Sequence, residues 1–317
     1  MKIEEIRFGC EIECIKRDRG TVATAVQSVV GGEVTHIGGS ASLDPWEVKD
    51  NRGRVWRVVA DASLTSVPAH LRAEVVSPIL GFEDIPEVQE VVRAVRRSGA
   101  ATDELCGLHV HVSHPDVTAR ALANLVKLIY KQQDIIYAAL GVNKARMERY
   151  CKPIDPAFIE RITKRPPRDF RDLNIQWYGR YEAHPQRYHG SRYAILNLNG
   201  WFVRSAVEVR AYGSSLHAGK VKASVLFSMA LLARAMSCRG ASARKREYQP
   251  ASAKYDMRVF LISALKMNGP TYKTARAHLL KLMSGDSAWK HGRPTSSKLD
   301  KADEESTNAE EVCHAAN

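Results

Sequence analysis

An α+β domain is the fold class this sequence predicts, and three observations carry it. Short segments alternate apolar and polar residues with the two-residue period of a strand. Several of these segments follow one another at hairpin distance. Segments with helical spacing are interspersed among them, an order that favours α+β over a doubly wound parallel sheet.

The first strand is Arg7-Phe8-Gly9-Cys10-Glu11-Ile12-Glu13, in which Glu11 and Glu13 share one face while Phe8, Cys10, Ile12 and Cys14 share the other. It leads to a Gly-rich stretch without clear pattern, 31–40. Segments 46–49 and 55–59, separated by Asp50-Asn51-Arg52-Gly53, read as a β-hairpin because that separator is good turn chemistry. Segment 73–77 is a further strand, ended by Pro78. Over 85–98 the residues Val88, Val91, Val92 and Val95 recur at helical spacing, and Gly99 stops the helix. Strand 107–113 follows, with His109 and His111 on one face against Leu108, Val110 and Val112. Helix 118–140 carries Leu122, Leu125, Val126 and Ile129 on one stripe and ends at Gly141. Residues 144–190, rich in Arg, Pro and aromatics, give no period and read either as a substrate-facing insertion or as a set of small helices. Strands are expected over 193–198 and 205–212, the latter with Glu208 and Arg210 opposite Val207 and Val209. Helices are expected over 217–237, 251–266 and 272–283. Beyond Gly285 there are almost no apolar residues, so 1–284 is expected to form one domain and 285–317 a disordered tail.

With 317 residues, 44% of them hydrophobic, the chain can bury a sizeable core. No N-terminal run resembles a signal peptide. The longest apolar run, 223–238, is interrupted by Arg234 and too short to span a bilayer, so a cytoplasmic protein without membrane association is expected. The six cysteines, Cys10, Cys14, Cys106, Cys151, Cys238 and Cys313, lack paired metal-type spacing and are expected as free thiols. The net charge of +12 raises the question of an anionic partner, whether nucleic acid, a nucleotide or an acidic polymer, but charge alone discriminates weakly, and the basic runs 161–171 and 239–246, each taken alone, read as solvated surface.

The polar faces carry the chemistry. Two carboxylates roughly 6–7 Å apart on one strand face repel each other unless cations lie beside them. Oxygen ligands suit Mg²⁺ or Mn²⁺, with an imidazole shifting the preference towards Mn²⁺. Carboxylates with one histidine and nearby arginines match phosphoryl transfer from a nucleotide. Neither Gly-x-Gly-x-x-Gly nor a Walker-type loop occurs, so a bound nucleotide is held in another way. Each piece alone has a plainer reading: Glu11 and Glu13 as a solvent-facing pair, Glu208 and Arg210 as surface charge, His109 and His111 as half of a zinc site that finds no third ligand. Their joint occurrence on three alternating strands favours a site, because solvated faces are usually rich in Thr, Lys and Ser.

Six segments occur in the order seen in the amidoligase family: Phe8-Gly9-Cys10-Glu11-Ile12-Glu13, Trp56 with Asp61-Ala62-Ser63-Leu64, Ala73-Glu74-Val75-Val76-Ser77-Pro78, Cys106-Gly107-Leu108-His109-Val110-His111-Val112-Ser113, Arg192-Tyr193-Ala194-Ile195-Leu196-Asn197-Leu198, and Val207-Glu208-Val209-Arg210. The chain resembles that family over about residues 5–235, and through it the glutamine synthetase and glutamate–cysteine ligase superfamily. The resemblance implies a glutamine synthetase-like catalytic domain, a curved, mainly antiparallel sheet with helices on its convex side. It implies an ATP-dependent carboxylate–amine ligase that forms an amide or peptide-like bond through an acyl phosphate, with Mg²⁺ or Mn²⁺ as the metal. Carried across by position, Glu13 and Glu74 would hold one metal, and Glu11, His109 and Glu208 another that bridges the ATP phosphates. Arg210 would neutralise the transferred phosphoryl group, and Arg192 would contact phosphate or the acyl phosphate. His111 would orient a ligand or substrate, and Asp61 would position the amine or only cap a turn.

Only ten residues precede Glu11, so the separate N-terminal β-grasp-like domain of glutamine synthetase is not expected here, which leaves oligomeric state and ammonia use open. A larger primary amine is expected, carried by an amino acid, a polyamine or an anionic macromolecule, with 144–190 as the segment that reads it. The competing readings are a phosphotransferase resembling guanidino kinases, and a non-catalytic basic protein that binds nucleic acid. The concentration of mutually repelling carboxylates argues against the last.

Overall fold

The structure, a computed structural model, describes residues 1–39 and 43–293. Eight strands pair in one sheet among these residues: β1 (Arg7–Ile15), β2 (Glu33–His36), β3 (Trp46–Lys49), β4 (Val55–Val59), β5 (Arg72–Val76), β6 (Gly107–Ser113), β7 (Leu196–Asn197) and β8 (Val207–Gly213). Their order is β2-β3-β4-β5-β1-β6-β8-β7, with every neighbouring pair antiparallel. The α+β class is therefore as the alternating segments predict. The expected hairpin is β3–β4, and its turn is built by Asp50, whose Oδ1 accepts the backbone amides of Arg52 at 2.9 Å and Arg54 at 2.8 Å.

Among the described residues ten α-helices accompany the sheet: α1 (Arg19–Val30), α2 (Ile85–Arg97), α3 (Ala119–Leu140), α4 (Lys144–Arg149), α5 (Pro156–Lys164), α6 (Phe170–Tyr178), α7 (Asn199–Arg204), α8 (Ala218–Ser237), α9 (Ala253–Val259) and α10 (Lys273–Leu280). The sheet's apolar face, with Phe8, Cys10, Ile12, Cys14, Trp56, Val58, Val75, Leu108 and Val110, joins apolar residues of α1, α2, α3 and α8 in one buried core. Burial of that stripe stabilises the pairing of strands whose other face is charged. No helix among the described residues is long and apolar enough to cross a membrane. Cys10, Cys14, Cys106, Cys151 and Cys238 are free thiols, and Cys313 lies outside the described residues.

Several elements differ from expectation. Helix α1 occupies a segment to which no element was assigned; Asp18 caps it by accepting the Thr21 amide, and Gly31 ends it at φ 70°. The stretch 31–40 contains β2. Segment 193–198 keeps only the two-residue β7, because a 3₁₀ turn, Gly190–Tyr193, precedes it. Helix 251–266 divides into α9 and a π-helical turn, Phe260–Ala264. Region 144–190 resolves into α4, α5, α6 and a segment that is irregular apart from that 3₁₀ turn. Of the expected tail, 285–293 has no helix or strand and 294–317 lies outside the described residues.

Candidate functional site

Strand register assembles the site. The pairs Glu11↔His109, Glu13↔Glu74 and His111↔Glu208 sit opposite each other across β1, β5, β6 and β8, on the face turned away from the core. Asn197 of β7 lies opposite Glu208, and Val59 of β4 opposite Glu74. Glu11, Glu13, His109, Glu208 and Arg210 are all buried, because residues from α4 to β7 close over this side of the sheet. Their alternation therefore marks a second, polar interior rather than a solvated face.

Two groups of ligand atoms emerge. In the first, His109 Nδ1 lies 3.2 Å from Glu11 Oε2 and 3.5 Å from Glu208 Oε1, and His111 Nε2 lies 3.1 Å from Glu11 Oε1. Burial alone pushes Glu11 towards the neutral form, but the nearby charge of His111 and the hydrogen bond from His109 outweigh it and hold Glu11 well below the usual carboxylate range. Burial likewise opposes ionisation of Glu208, and Arg210 overcomes it, leaving Glu208 at about 2. His109 is pushed down by burial and by the Arg210 charge, which favours the neutral imidazole that a metal requires.

The second group is Glu13, Asp61 and Glu74, with one carboxylate oxygen from each lying within 4.8 Å of the others. Glu13 Oε2 accepts the Gly107 amide at 2.5 Å, and Asp61 Oδ1 accepts the Ser63 amide at 2.5 Å. Burial and the neighbouring Asp61 raise Glu13 to about 8, and burial together with Glu11, Glu13 and Asp61 raises Glu74 well above its ordinary range. Three carboxyl groups crowded in this way form an oxygen donor set that fits Mg²⁺ or Mn²⁺. The first group fits as well: both ring nitrogens of His111 are buried without a hydrogen-bond partner. Groupings in which every ligand atom lies within 4.8 Å of the others join Glu11 with His111 and Glu208, and Glu11 with Glu74 and His109, whereas Glu11, His109 and Glu208 are related through the two contacts of His109 Nδ1.

Guanidinium groups share with the acids the lining of a cleft of ≈ 690 Å³. Arg57, Arg146, Arg187, Arg192, Arg204 and Arg210 line it. Arg210 pairs with Glu208 through Nη1 and donates Nε to the Tyr150 carbonyl at 3.2 Å, leaving Nη2 uncommitted among the described residues. An alternating stack runs outward from it: Arg210 on Tyr193, Arg192 between Tyr193 and Tyr188, and Arg187 on Tyr188, at 5.1–5.7 Å from guanidinium carbon to ring centre. The cleft falls in the size range of ligand sites, roughly 300–1,000 Å³. Its arginines suit a polyphosphate or a carboxylate.

All nine residues singled out from the sequence meet around this cleft: Glu11, Glu13, Asp61, Glu74, His109, Arg192 and Arg210 line it, with His111 and Glu208 in contact with them. Three further residues were not singled out. Asn197 donates Nδ2 to Glu208 Oε2 at 2.6 Å, and its place in a strand that pairs Glu208 was a readable signal. Arg204, 3.6 Å from Glu11, ends α7, where Ser205 takes a left-handed conformation at φ 55°. Arg146 reaches in from α4, its Nη2 donating to the Tyr212 carbonyl at 2.9 Å; nothing in the aperiodic region 144–190 marks it. Gly107 makes that approach feasible, since a Cβ there would stand 2.5 Å from Arg146 Nη2.

The model of a family described as "Putative amidoligase enzyme" matches residues 4–232, a span that contains every residue of this cluster. No curated protein matches the chain.

Proposed function

Because the chain belongs to the amidoligase family, we propose that it is an ATP-dependent carboxylate–amine ligase that forms an amide or peptide-like bond through an acyl phosphate. The observation that carries this reading is the convergence, in one cleft, of acidic groups that could hold a metal and of six arginines. A divalent cation held by these acids would supply Lewis-acid polarisation of phosphoryl oxygens. Glu13 and Glu74, with Asp61, form one ligand group, and Glu11, His109 and Glu208 the other. The glutamine synthetase-like form of the sheet and a cytoplasmic setting belong to the same proposal.

The chain's own residues divide the remaining work. Arg210 is fixed by Glu208 and Tyr150, so its uncommitted Nη2 is presented to a phosphoryl oxygen without reorganisation. Arg192 presents its guanidinium from the 3₁₀ turn to a phosphate or to the activated carboxylate. Asp61, half-buried at the cleft edge, serves the incoming amine as a hydrogen-bond acceptor, and His111 orients Glu11. The substrates in this reading are a carboxylate and a primary amine, the amine on a molecule larger than ammonia.

Hydroxylamine tests the reaction class, since it replaces a wide range of amines and yields a coloured hydroxamate. Incubation with ATP, Mg²⁺ or Mn²⁺ and a panel of carboxylates should give ADP and hydroxamate together for one of them. Formation of ADP with a stable phosphorylated product and no hydroxamate would instead favour a phosphotransferase.

A further inference from the structure

A second pocket, of ≈ 210 Å³, lies beside the cleft on the far side of the segment joining α6 to β7. The two cavities share one residue, Tyr193. The 3₁₀ turn Gly190–Tyr193 is their partition: Arg192 lines the cleft, Gly190 and Ser191 line the pocket, and Tyr193 lines both.

The partition is firmly held. Trp177 Nε1 donates to Ser191 Oγ at 3.0 Å, the Lys152 amide donates to the Tyr193 carbonyl at 2.8 Å, and the Ile195 amide donates to the Lys152 carbonyl at 2.8 Å. The pocket wall is aromatic. Phe158 and Trp177 meet edge to face, with centroids 4.9 Å apart at 79°. Two cations stand at this pocket. The Arg161 guanidinium lies over the Phe158 ring, with its Nη2 3.9 Å from Asp155, and Lys152 is exposed and forms no ion pair among the described residues. Two positive groups against one carboxylate favour an anion. At ≈ 210 Å³ the pocket is smaller than the roughly 300–1,000 Å³ that whole drug-sized ligands occupy. It therefore takes a side group, not a complete nucleotide.

We infer that this pocket is a second binding site, for a planar apolar group that carries a negative charge, and that the Gly190–Tyr193 turn links its occupancy to the cleft. In the ligase reading, on which this part alone rests, that group is a side group of one substrate whose reacting end lies on the other side of Tyr193. Binding to the pocket itself requires no turnover, so the two readings fail separately.

Indole-3-acetate, a planar ring with one carboxylate, is the probe, and tryptamine, the same ring with a positive charge, is its control. Both are titrated into the full chain and followed by ligand-observed NMR. Gly190→Phe sets a bulky ring at the rim of the pocket without a clash at its Cβ, which meets no atom within 4 Å. Lys152→Glu reverses an exposed charge and does not burden the fold. Indole-3-acetate should bind wild type and bind each variant at least about tenfold more weakly, a loss of about 1.4 kcal/mol, while tryptamine binds none of them. Saturating indole-3-acetate should also change the affinity of wild type for Mg²⁺–ATP. Equal binding of the two probes, or undiminished binding of indole-3-acetate to both variants, would overturn the assignment. Loss of ATP binding in wild type with intact probe binding would count against the ligase reading and leave the pocket standing.

Discussion

Glu74 is the residue at which the site's electrostatics are most directly testable. Its carboxylate faces Glu13 across the β1–β5 pair and shares a 4.8 Å cluster with Glu13 and Asp61. Burial among acids raises both carboxyls, so near neutrality the metal-free fold must keep protonated groups that ionise in the unfolded chain, which costs stability. Glu74→Gln, which keeps the shape and removes the charge, should therefore raise the melting temperature of the metal-free protein. For a chain of this size each 1 kcal/mol of relief corresponds to about 2–4 °C. Adding Mn²⁺ should stabilise wild type more than the variant in a thermal melt. Glu208 behaves oppositely. It is fully buried and bound by Arg210 and Asn197, so Glu208→Gln leaves a buried guanidinium without its counter-charge. That should cost about 3 kcal/mol in urea unfolding as well as turnover. At this scale the acids were legible because strand alternation puts Glu11, Glu13, His109, Glu208 and Arg210 on one face. Arg146 and Arg204 were not, because they arrive from short helices whose position depends on tertiary packing.

Gly107 shows how an element's first residue can control the site. The β6 strand begins where Arg146, His109 and Glu13 converge, and a Cβ there would lie 2.5, 3.0 and 3.3 Å from Nη2, Nε2 and Oε1 of those residues. Arg146 is buried and held by backbone carbonyls, so it has little room to give. Gly107→Ala should destabilise the protein by about 1–3 kcal/mol and weaken nucleotide binding; a denaturation midpoint equal to that of wild type would show that Arg146 moves freely. The β3–β4 turn offers a second test. Arg54 bridges Asp50 at 2.7 Å and Asp84 at 3.0 Å, tying the hairpin to the start of α2. Burial works against the ionised form of both aspartates, but the Arg54 contacts and backbone amides outweigh it and lower both from 3.8. Their stabilisation is thus complete above pH 3.8 and is lost as pH falls through the lowered values. Arg54→Ala should cost about 3 kcal/mol near neutrality, and the gap to wild type should narrow below pH 3.8. Among elements, the β3–β4 hairpin and α3 were legible from turn and cap chemistry. Helix α1 was missed although Asp18, Gly31 and the run Val22, Val26, Val30 are helix signals, because its Val- and Thr-rich composition is equally that of a strand.

At the scale of the whole molecule, one sheet separates two interiors. One is the apolar core shared with α1, α2, α3 and α8; the other is the charged cleft roofed by the chain from α4 to β7. The first interior supplies the stability that lets the second hold crowded carboxylates. The sequence revealed the two faces through their alternation. It could not reveal that the polar face is also buried, because the roof comes from region 144–190, where short helices and an irregular segment leave no hydrophobic period to read. The central claim is that this second interior binds a nucleotide through a divalent cation. The measurement that tests it most directly is calorimetric titration of a non-hydrolysable ATP analogue, with and without Mg²⁺ or Mn²⁺, into wild type and Glu74→Gln. The account predicts binding only with the cation, weakened at least about tenfold in the variant. Failure of folded wild type to bind, or equal binding by both proteins irrespective of metal, would contradict it.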